Sequence, residues 1–424
     1  MDPPFYTHQL NNGIKLVMIP RNMSGLFYVS LVMRNGFIDE TKRTWSYTHI
    51  GEHLLSQFTS DKYPSADHMK KHLGILGIDS NAYTRPYTTG YWLLGSKKHA
   101  SFMIDVLSSA FFQFKFTDSW EKQRNIVAEE LKGRIDQWTP LTEIMSKTLY
   151  PNHTLSATFK EELQSTSGAT EREIINMLLS KLDPRVSTVL VEGDFDKDIL
   201  LPEMLRAFDN HKAHLHYKQI IERTRPLHGP KMVRCNIQSS VISKIVYTFQ
   251  LPGMSRFDTK LHAVMEMTKQ YFCAGYYSRL YYLLRETHGL IYGLESEYDL
   301  SPVPSKIPGE FNITIQVDPQ QVDKVLTIVN DEIERLKQNK VSRKDMLRLK
   351  NNMHFKNSME TLDARAGKFA ENCAYYIVWN EPVQTYAEYF KLLQSVKAAD
   401  IQDLAKRMFR IEQRLIAIGA GHHT

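Results

Sequence analysis

WSYTHIGEHLLSQF, residues 45–58, is the stretch from which the organisation of the rest of the chain can be worked out. It contains no proline, and its apolar residues recur at helical spacing, so it predicts a single helix. His49 and His53 lie four residues apart, and residues at that separation share one face of a helix. Two neighbouring imidazoles can bind one zinc ion. Glu52 would then lie beside the ion, where a carboxylate can take a proton from an attacking water.

The order His-x-x-Glu-His is the inverse of the commoner His-Glu-x-x-His pattern. A solvated helix without metal is the alternative, because a chain with 16 histidines can contain this spacing by chance. A third ligand would favour the metal, since catalytic zinc sites use three protein ligands and keep one position open. Glu129 and Glu130, in the helical segment EKQRNIVAEELKGR, are both candidates, and spacing alone leaves the choice open.

Composition narrows the class of protein. A chain of 424 residues suits two domains, and 42% hydrophobic with 24% charged residues is ordinary for a soluble globular protein. The net charge of +6 is small and no basic block stands out, so we expect neither nucleic acid nor a membrane surface as partner. Three widely spaced cysteines without a CxxC pair indicate reduced thiols. With no signal-like start and no long apolar run, a cytoplasmic protein is expected.

The pattern of strands and helices repeats once along the chain. Each half reads as a strand, a helix, a strand pair, further helices and a final strand, which indicates an internal duplication. We therefore predict an α+β fold with two similar domains, each a mainly antiparallel sheet with helices packed on one face. A polar, turn-rich stretch at 209–232 separates the halves, so the predicted domains are 1-215 and 216-424. One long helix is expected at 342–374.

The sequence resembles the pitrilysin/insulinase family of inverted-motif zinc peptidases, which includes the mitochondrial processing peptidases. The resemblance covers nearly the whole chain and rests on four motifs in the family's order. They are the His-x-x-Glu-His pentapeptide, a glutamate in an apolar-flanked pair at Glu130, the Asn81-Ala82 pair in SNAYTRPYTTGYW, and Arg285 with Tyr292 in LLRETHGLIYGLES. One departure concerns Gln123, which stands where relatives often carry another glutamate.

The resemblance implies a two-domain clamshell and a role for each motif. It implies that one Zn²⁺ per chain is bound by His49, His53 and Glu130, with Glu52 as general base. A strand containing Asn81, Ala82 and Tyr83 would bind the substrate backbone as an added strand. Arg285 and Tyr292 would hydrogen-bond the scissile carbonyl or the backbone next to it.

The function expected from these motifs is that of a zinc metalloendopeptidase hydrolysing peptides or unfolded polypeptide segments in a closed chamber. A homodimer, or a heterodimer with a related subunit, is expected. The alternative is a non-catalytic or partner-dependent subunit of a heterodimeric peptidase. Other histidine groups are interpreted as solvated or connecting segments rather than metal sites, namely His68 with His72, and His211, His214 and His216.

Overall fold

The computed structural model describes residues 4–115, 120–209, 217–237, 239–362 and 367–421. These residues form two compact units, each assembled from three segments of the chain. The first comprises Met1–Arg134, Ala157–Ile221 and Asp363–Val383, and the second comprises Ile135–Ser156, Glu222–Leu362 and Gln384–Thr424. Residues 135–156 of the predicted first domain belong to the second unit, and residues 216–221 and 363–383 of the predicted second domain belong to the first unit.

Strands and helices alternate in blocks along the chain. The strands are β1 Tyr6–Gln9, β2 Lys15–Pro20, β3 Leu26–Met33, β4 Asp79–Thr84, β5 Thr89–Ser96, β6 Ser187–Gly193, β7 Lys231–Asn236, β8 Ser243–Leu251, β9 Ile291–Asp299, β10 Gly309–Val317 and β11 Arg414–Ala420. The helices are α1 Tyr47–Ser56, α2 Ala66–Ile75, α3 Ala100–Phe112, α4 Trp120–Gly133, α5 Thr139–Leu149, α6 Phe159–Gly168, α7 Glu171–Lys181, α8 Lys197–Phe208, α9 Thr259–Phe272, α10 Arg279–Tyr281, α11 Val322–Gln338, α12 Arg343–Leu362, α13 Lys368–Val378, α14 Tyr386–Ser395 and α15 Ala398–Met408.

The first unit is built on a six-stranded sheet in the order β1-β2-β6-β3-β5-β4. Its strand pairs are antiparallel except for β2 with β6. Along β3, every second side chain (Phe27, Val29, Leu31) enters the main core, where it meets apolar residues of α1, α2, α3 and α8. This alternation follows from the two-residue period of a strand.

The second unit repeats this topology. Its sheet runs β7-β11-β8-β10-β9, with only β7 and β11 parallel, which matches the order β2-β6-β3-β5-β4 of the first sheet. Its core buries Ile245, Tyr247 and Phe249 of β8 under helices α9, α11, α14 and α15. The predicted α+β class and the internal duplication are therefore confirmed.

Each sheet also carries a helix on its other face, which the prediction of helices on one face missed. In the second unit, Leu141 of α5 packs against Val246 and Ala417. In the first unit, α13 covers β6 and β3, and the fully buried carboxylate of Glu192 accepts the backbone N–H of Gly367 at 3.0 Å. A backbone donor at a helix start is satisfied in this way.

The prediction of one long helix at 342–374 is wrong, because the chain forms two helices there. Helix α12 is described to Leu362, and α13 begins at Lys368 after its N-cap residue Gly367, whose φ of 88° lies in the left-handed region and not in the helical one. The histidines at 211, 214 and 216 lie outside the described residues. None of the described helices is both long enough and apolar enough to cross a bilayer.

Candidate metal centre

Three side chains from two helices converge in the first unit. His49 and His53 project from α1 with their ring centroids 4.9 Å apart, and Glu130 reaches them from α4. The Nε2 of His49 lies 3.3 Å from Glu130 Oε2, and the Nε2 of His53 lies 3.6 Å from Glu130 Oε1. Ligand atoms of these three residues all lie within 4.8 Å of one another.

The spacing of these atoms fits a zinc ion. Ligand atoms about 2.0–2.1 Å from a tetrahedral zinc are separated from each other by about 3.3 Å. The two histidine–carboxylate distances, 3.3 Å to one oxygen of Glu130 and 3.6 Å to the other, are close to that edge length. Two imidazoles and one carboxylate also match the ligand types of a catalytic zinc site with one position left open. No second cluster of this kind occurs among the described residues.

His49 is held in its neutral form. Burial is the largest cause that lowers the pKa of His49 to about 3, and the neighbouring His53 and the charge of Arg134 act in the same direction. The short contact between His49 and Glu130 is therefore not an ion pair at neutral pH. A neutral imidazole has a free lone pair on the nitrogen, which is the form that binds a metal.

The two adjacent glutamates of α4 lie in different surroundings. Glu130 faces the histidines, whereas the side chain of Glu129 is 72% exposed and accepts a hydrogen bond from Lys132 at 2.7 Å. Neighbouring residues on a helix point about 100° apart, so only one of them can face α1. Gln123, two turns before Glu130, is buried.

Glu52 lies on α1 directly before His53 and is anchored by Thr84, a residue absent from the predicted site. The hydroxyl of Thr84, the last residue of β4, donates a 2.6 Å hydrogen bond to Glu52 Oε2. Burial raises the pKa of Glu52, against the lowering effects of that bond and of His53. Thr84 follows Ala82 by two residues in a strand, so the period of two could have placed it on the same face.

Strand β4 carries the predicted substrate-binding residues at the edge of the first sheet. Residues Asn81, Ala82 and Tyr83 pair with β5 on one side, and β4 is the terminal strand of the sheet on the other. Ala82 packs against the main core, so Asn81 and Tyr83 point to the opposite face. An edge strand has unpaired backbone groups and can accept another strand.

The start of α1 is fixed by a buried carboxylate and a buried amine. Glu40 accepts the backbone N–H of Ser46 at 2.9 Å and that of Thr48 at 2.6 Å. Lys181 donates to Asp39 Oδ1 and to Thr48 Oγ1, both at 2.9 Å, and to the Gly36 carbonyl at 2.8 Å. These contacts hold the turn that precedes His49. The contacts of Lys181 span 133 residues to Thr48, so no local pattern could have revealed them, whereas Glu40 lies only six and eight residues from Ser46 and Thr48.

Arg285 and Tyr292 lie in the second unit. Arg285 belongs to a short π-helical segment, Tyr282–Thr287, and its guanidinium donates to the carbonyl of Ile291. Irregular π-turns of this kind recur at functional sites. Tyr292 follows on the edge strand β9, which occupies the same place in the second sheet as β4 in the first. Its side chain is exposed.

Two family models match the chain. The model described as Insulinase (Peptidase family M16) matches residues 17–162, and the model described as Peptidase M16 inactive domain matches residues 183–353. Together they cover well over half of the chain. It belongs to the M16 peptidase family. The candidate metal cluster and Glu52 fall in the first of these M16 segments, and Arg285 and Tyr292 fall in the second.

Individual M16 relatives support this assignment. The chain is 28% identical over 176 residues to the "Uncharacterized zinc protease YmxG" of Bacillus subtilis, covering 40% of this chain and 42% of that protein. The matches to curated relatives span less than two thirds of those proteins' own lengths.

Two solved structures share the fold. The structure of a protease from Helicobacter pylori has a TM-score of 0.84 at 18% identity, over 98% of this chain and 99% of that one. The periplasmic protease PqqL of Escherichia coli has a TM-score of 0.81 at 14% identity, over 100% of this chain and 48% of that one.

Proposed function

We propose that this M16 chain is a zinc-dependent endopeptidase acting on peptides or unfolded polypeptide segments. One observation carries the proposal. The potential ligands His49, His53 and Glu130 converge within 4.8 Å of one another, and the half-buried carboxylate of Glu52 lies beside them, oriented by Thr84. A metal ligand set with an adjacent, oriented carboxylate is the minimal arrangement for metal-assisted hydrolysis.

Each residue of the cluster has a distinct task in this proposal. His49, His53 and Glu130 would hold one Zn²⁺, which when bound supplies polarisation of the scissile carbonyl and acidifies water. Glu52 would take the proton from the attacking water and deliver it to the leaving amine. The hydrogen bond from Thr84 leaves one carboxylate oxygen of Glu52 free for that proton.

The substrate class follows from the edge strand. The outer edge of β4 offers backbone donors and acceptors to an extended segment, and Thr84 links this strand to Glu52. Recognition through main-chain bonds favours unfolded segments and leaves side-chain preference weak. We further propose, from the resemblance, that Arg285 and Tyr292 donate hydrogen bonds to the substrate carbonyl or adjacent backbone.

A partner-dependent subunit is the second candidate. PqqL contains about twice the length matched here, since this chain covers 48% of it. We therefore propose a homodimer or a heterodimer with a related subunit as the working form. A cytoplasmic location also stays a proposal, motivated by Cys235, Cys273 and Cys373, none of which forms a disulfide within the described part of the chain.

Zinc content and peptide cleavage test the proposal together. Atomic emission would be run on the purified chain and on Glu52→Gln, beside cleavage of an unstructured quenched peptide of about 20 residues, long enough to pair as a strand. We expect one zinc per chain in both proteins and cleavage by the wild type only. Absence of zinc in the wild type, or cleavage by Glu52→Gln, would overturn it. Zinc without cleavage by the wild type would favour the partner-dependent subunit.

A further inference from the structure

A cationic pocket lies in the first unit, at the end of the sheet where β2 and β6 begin and β3 ends. It has a volume of about 200 Å³. Among the residues that the structure describes, no carboxylate lines it. The lining side chains that can donate hydrogen bonds are Gln9, Lys15, Arg34, Arg185, Ser187, Thr188 and Asn380. None of these residues belongs to the candidate metal cluster.

The positive charges of this pocket are only partly balanced. Arg185 is paired with Asp183, whose Oδ1 lies 2.9 Å from the Arg185 Nε. Lys15 donates to the carbonyl of Ile377 at 3.1 Å and to the side-chain oxygen of Asn380, and both of these acceptors are neutral.

Arg34 likewise contacts a neutral group. Its guanidinium lies 5.4 Å from the centroid of the Trp379 ring. Within the part of the chain that the structure describes, neither Lys15 nor Arg34 forms an ion pair with a carboxylate. Two positive charges therefore remain without a counter-charge in one small pocket.

The two charges also affect each other. Burial lowers the pKa of Lys15, and the charge of Arg34 lowers it further. Like charges held together in a partly desolvated site raise the free energy of that site, and a bound anion relieves this cost. The pocket therefore has an electrostatic reason to bind an anion.

We propose that this pocket binds a small oxyanion of the phosphate class, held by Lys15 and Arg34 with Arg185 at one side. A guanidinium fork, an ammonium and hydroxyl donors form the usual set for such an anion. The volume of about 200 Å³ accommodates a phosphate group but is below the roughly 300–1,000 Å³ of sites for drug-sized ligands. The bound anion would connect β2 and β6 to the last turn of α13 and the residues after it, because Lys15 donates to both Ile377 and Asn380.

The test is a titration of the full chain with inorganic phosphate. Binding is measured by calorimetry and by the shift of the thermal unfolding midpoint, with chloride at matched ionic strength as the reference. We expect saturable binding, a raised midpoint as for any ligand of the folded state, and a loss of affinity of about tenfold or more in Lys15→Gln and in Arg34→Gln. Lys98→Gln, at an exposed lysine outside the pocket, is the matched control and should bind normally.

Two further variants distinguish anion binding in this pocket from binding at the metal cluster and from a general loss of stability. Glu130→Gln should keep phosphate binding, because the proposed site is distinct from the metal cluster. Lys15→Arg keeps the charge and should keep binding even if Lys15→Gln loses stability. No phosphate effect beyond chloride, full binding in both glutamine variants, or loss of binding in Glu130→Gln would each overturn the proposal.

Discussion

The hydroxyl of Thr84 donates a 2.6 Å hydrogen bond to the carboxylate of Glu52. This bond joins the end of an edge strand to the metal-binding face of a helix 32 residues earlier in the chain. It restricts the rotation of the Glu52 side chain, which would otherwise be free to turn within its site. Orientation of this carboxylate therefore depends on the same strand that we propose to bind the substrate.

Removing this hydroxyl should reduce turnover. In Thr84→Val, loss of a hydrogen bond to a charged group costs about 1.5–3 kcal/mol, so we expect kcat to fall by about tenfold or more with KM and zinc content little changed. Thr84→Ser should restore most of the activity, and Ser80→Ala, at an exposed residue of the same strand, should leave it intact. Equal losses in the serine and valine variants would contradict a role for the hydroxyl.

The two glutamates of α4 should differ sharply in their effect on zinc. Glu130 faces both histidines, whereas Glu129 is exposed and bonded to Lys132. We expect Glu130→Gln to weaken zinc binding by about 100-fold or more, and Glu129→Gln to change it by less than about twofold. Competition with a chelator of known affinity measures both. The opposite ranking would assign the ligand to Glu129.

Lys181 should stabilise the folded chain and support zinc binding. Its buried amine donates to Asp39, Thr48 and the Gly36 carbonyl, so Lys181→Met leaves the Asp39 carboxylate with the Tyr217 hydroxyl but without its positive partner. We expect the free energy of unfolding to fall by about 3 kcal/mol and zinc affinity to fall by about tenfold. Denaturant titration and chelator competition measure the two effects. Lys97→Met, at an exposed ion pair with Asp194, should change stability by less than about 1 kcal/mol.

Tyr292→Phe tests the proposed contribution of the second unit. If the phenol hydroxyl donates a hydrogen bond to the substrate, we expect turnover to fall by about 100-fold and zinc content to stay the same. Tyr282→Phe, which removes the hydroxyl of another exposed tyrosine, is the control and should retain activity. Unchanged turnover in Tyr292→Phe would exclude the proposed role. Loss of zinc in this variant would contradict a role confined to substrate binding.

His262 should make the protein less stable in mild acid. Burial is the largest cause that lowers the pKa of His262 to about 4, helped by the charge of Arg256 and opposed by Asp258 and Glu266, while the Nδ1 lies 3.3 Å from the Tyr298 hydroxyl. The unfolded chain binds this proton more readily than the folded one, so stability is present above about pH 6.5 and is lost as the pH falls towards 4.

The size of this effect can be measured by urea unfolding at pH 7 and pH 5. We expect His262 to account for a loss of up to about 2 kcal/mol between these values. His262→Gln should reduce the difference by that amount, whereas His68→Gln, at an exposed histidine, should not. An unchanged pH dependence in His262→Gln would contradict the assignment.

Much of the fold could be predicted because its signals are local. The two-residue alternation in β3 and the helical spacing of Tyr47–Ser56 can be read over a few residues. The repeat of strand order could be predicted for the same reason. The separation of α12 from α13 could not, since the sequence pattern still suits a helix and the left-handed conformation of Gly367, directly before α13, is seen only in the structure.

The placement of His49, Glu52 and His53 on one turn of a helix needs no more than their spacing, because α-helix geometry sets which residues share a face. Three other features of the site depend on packing. Glu130 rather than Glu129 meets the histidines, Thr84 orients Glu52, and Glu40 and Lys181 hold the start of α1. Apart from those of Glu40, which lies six and eight residues from its partners, these contacts join positions distant in sequence, where separate helices and strands meet. Their geometry is therefore set by the whole core and not by any local pattern.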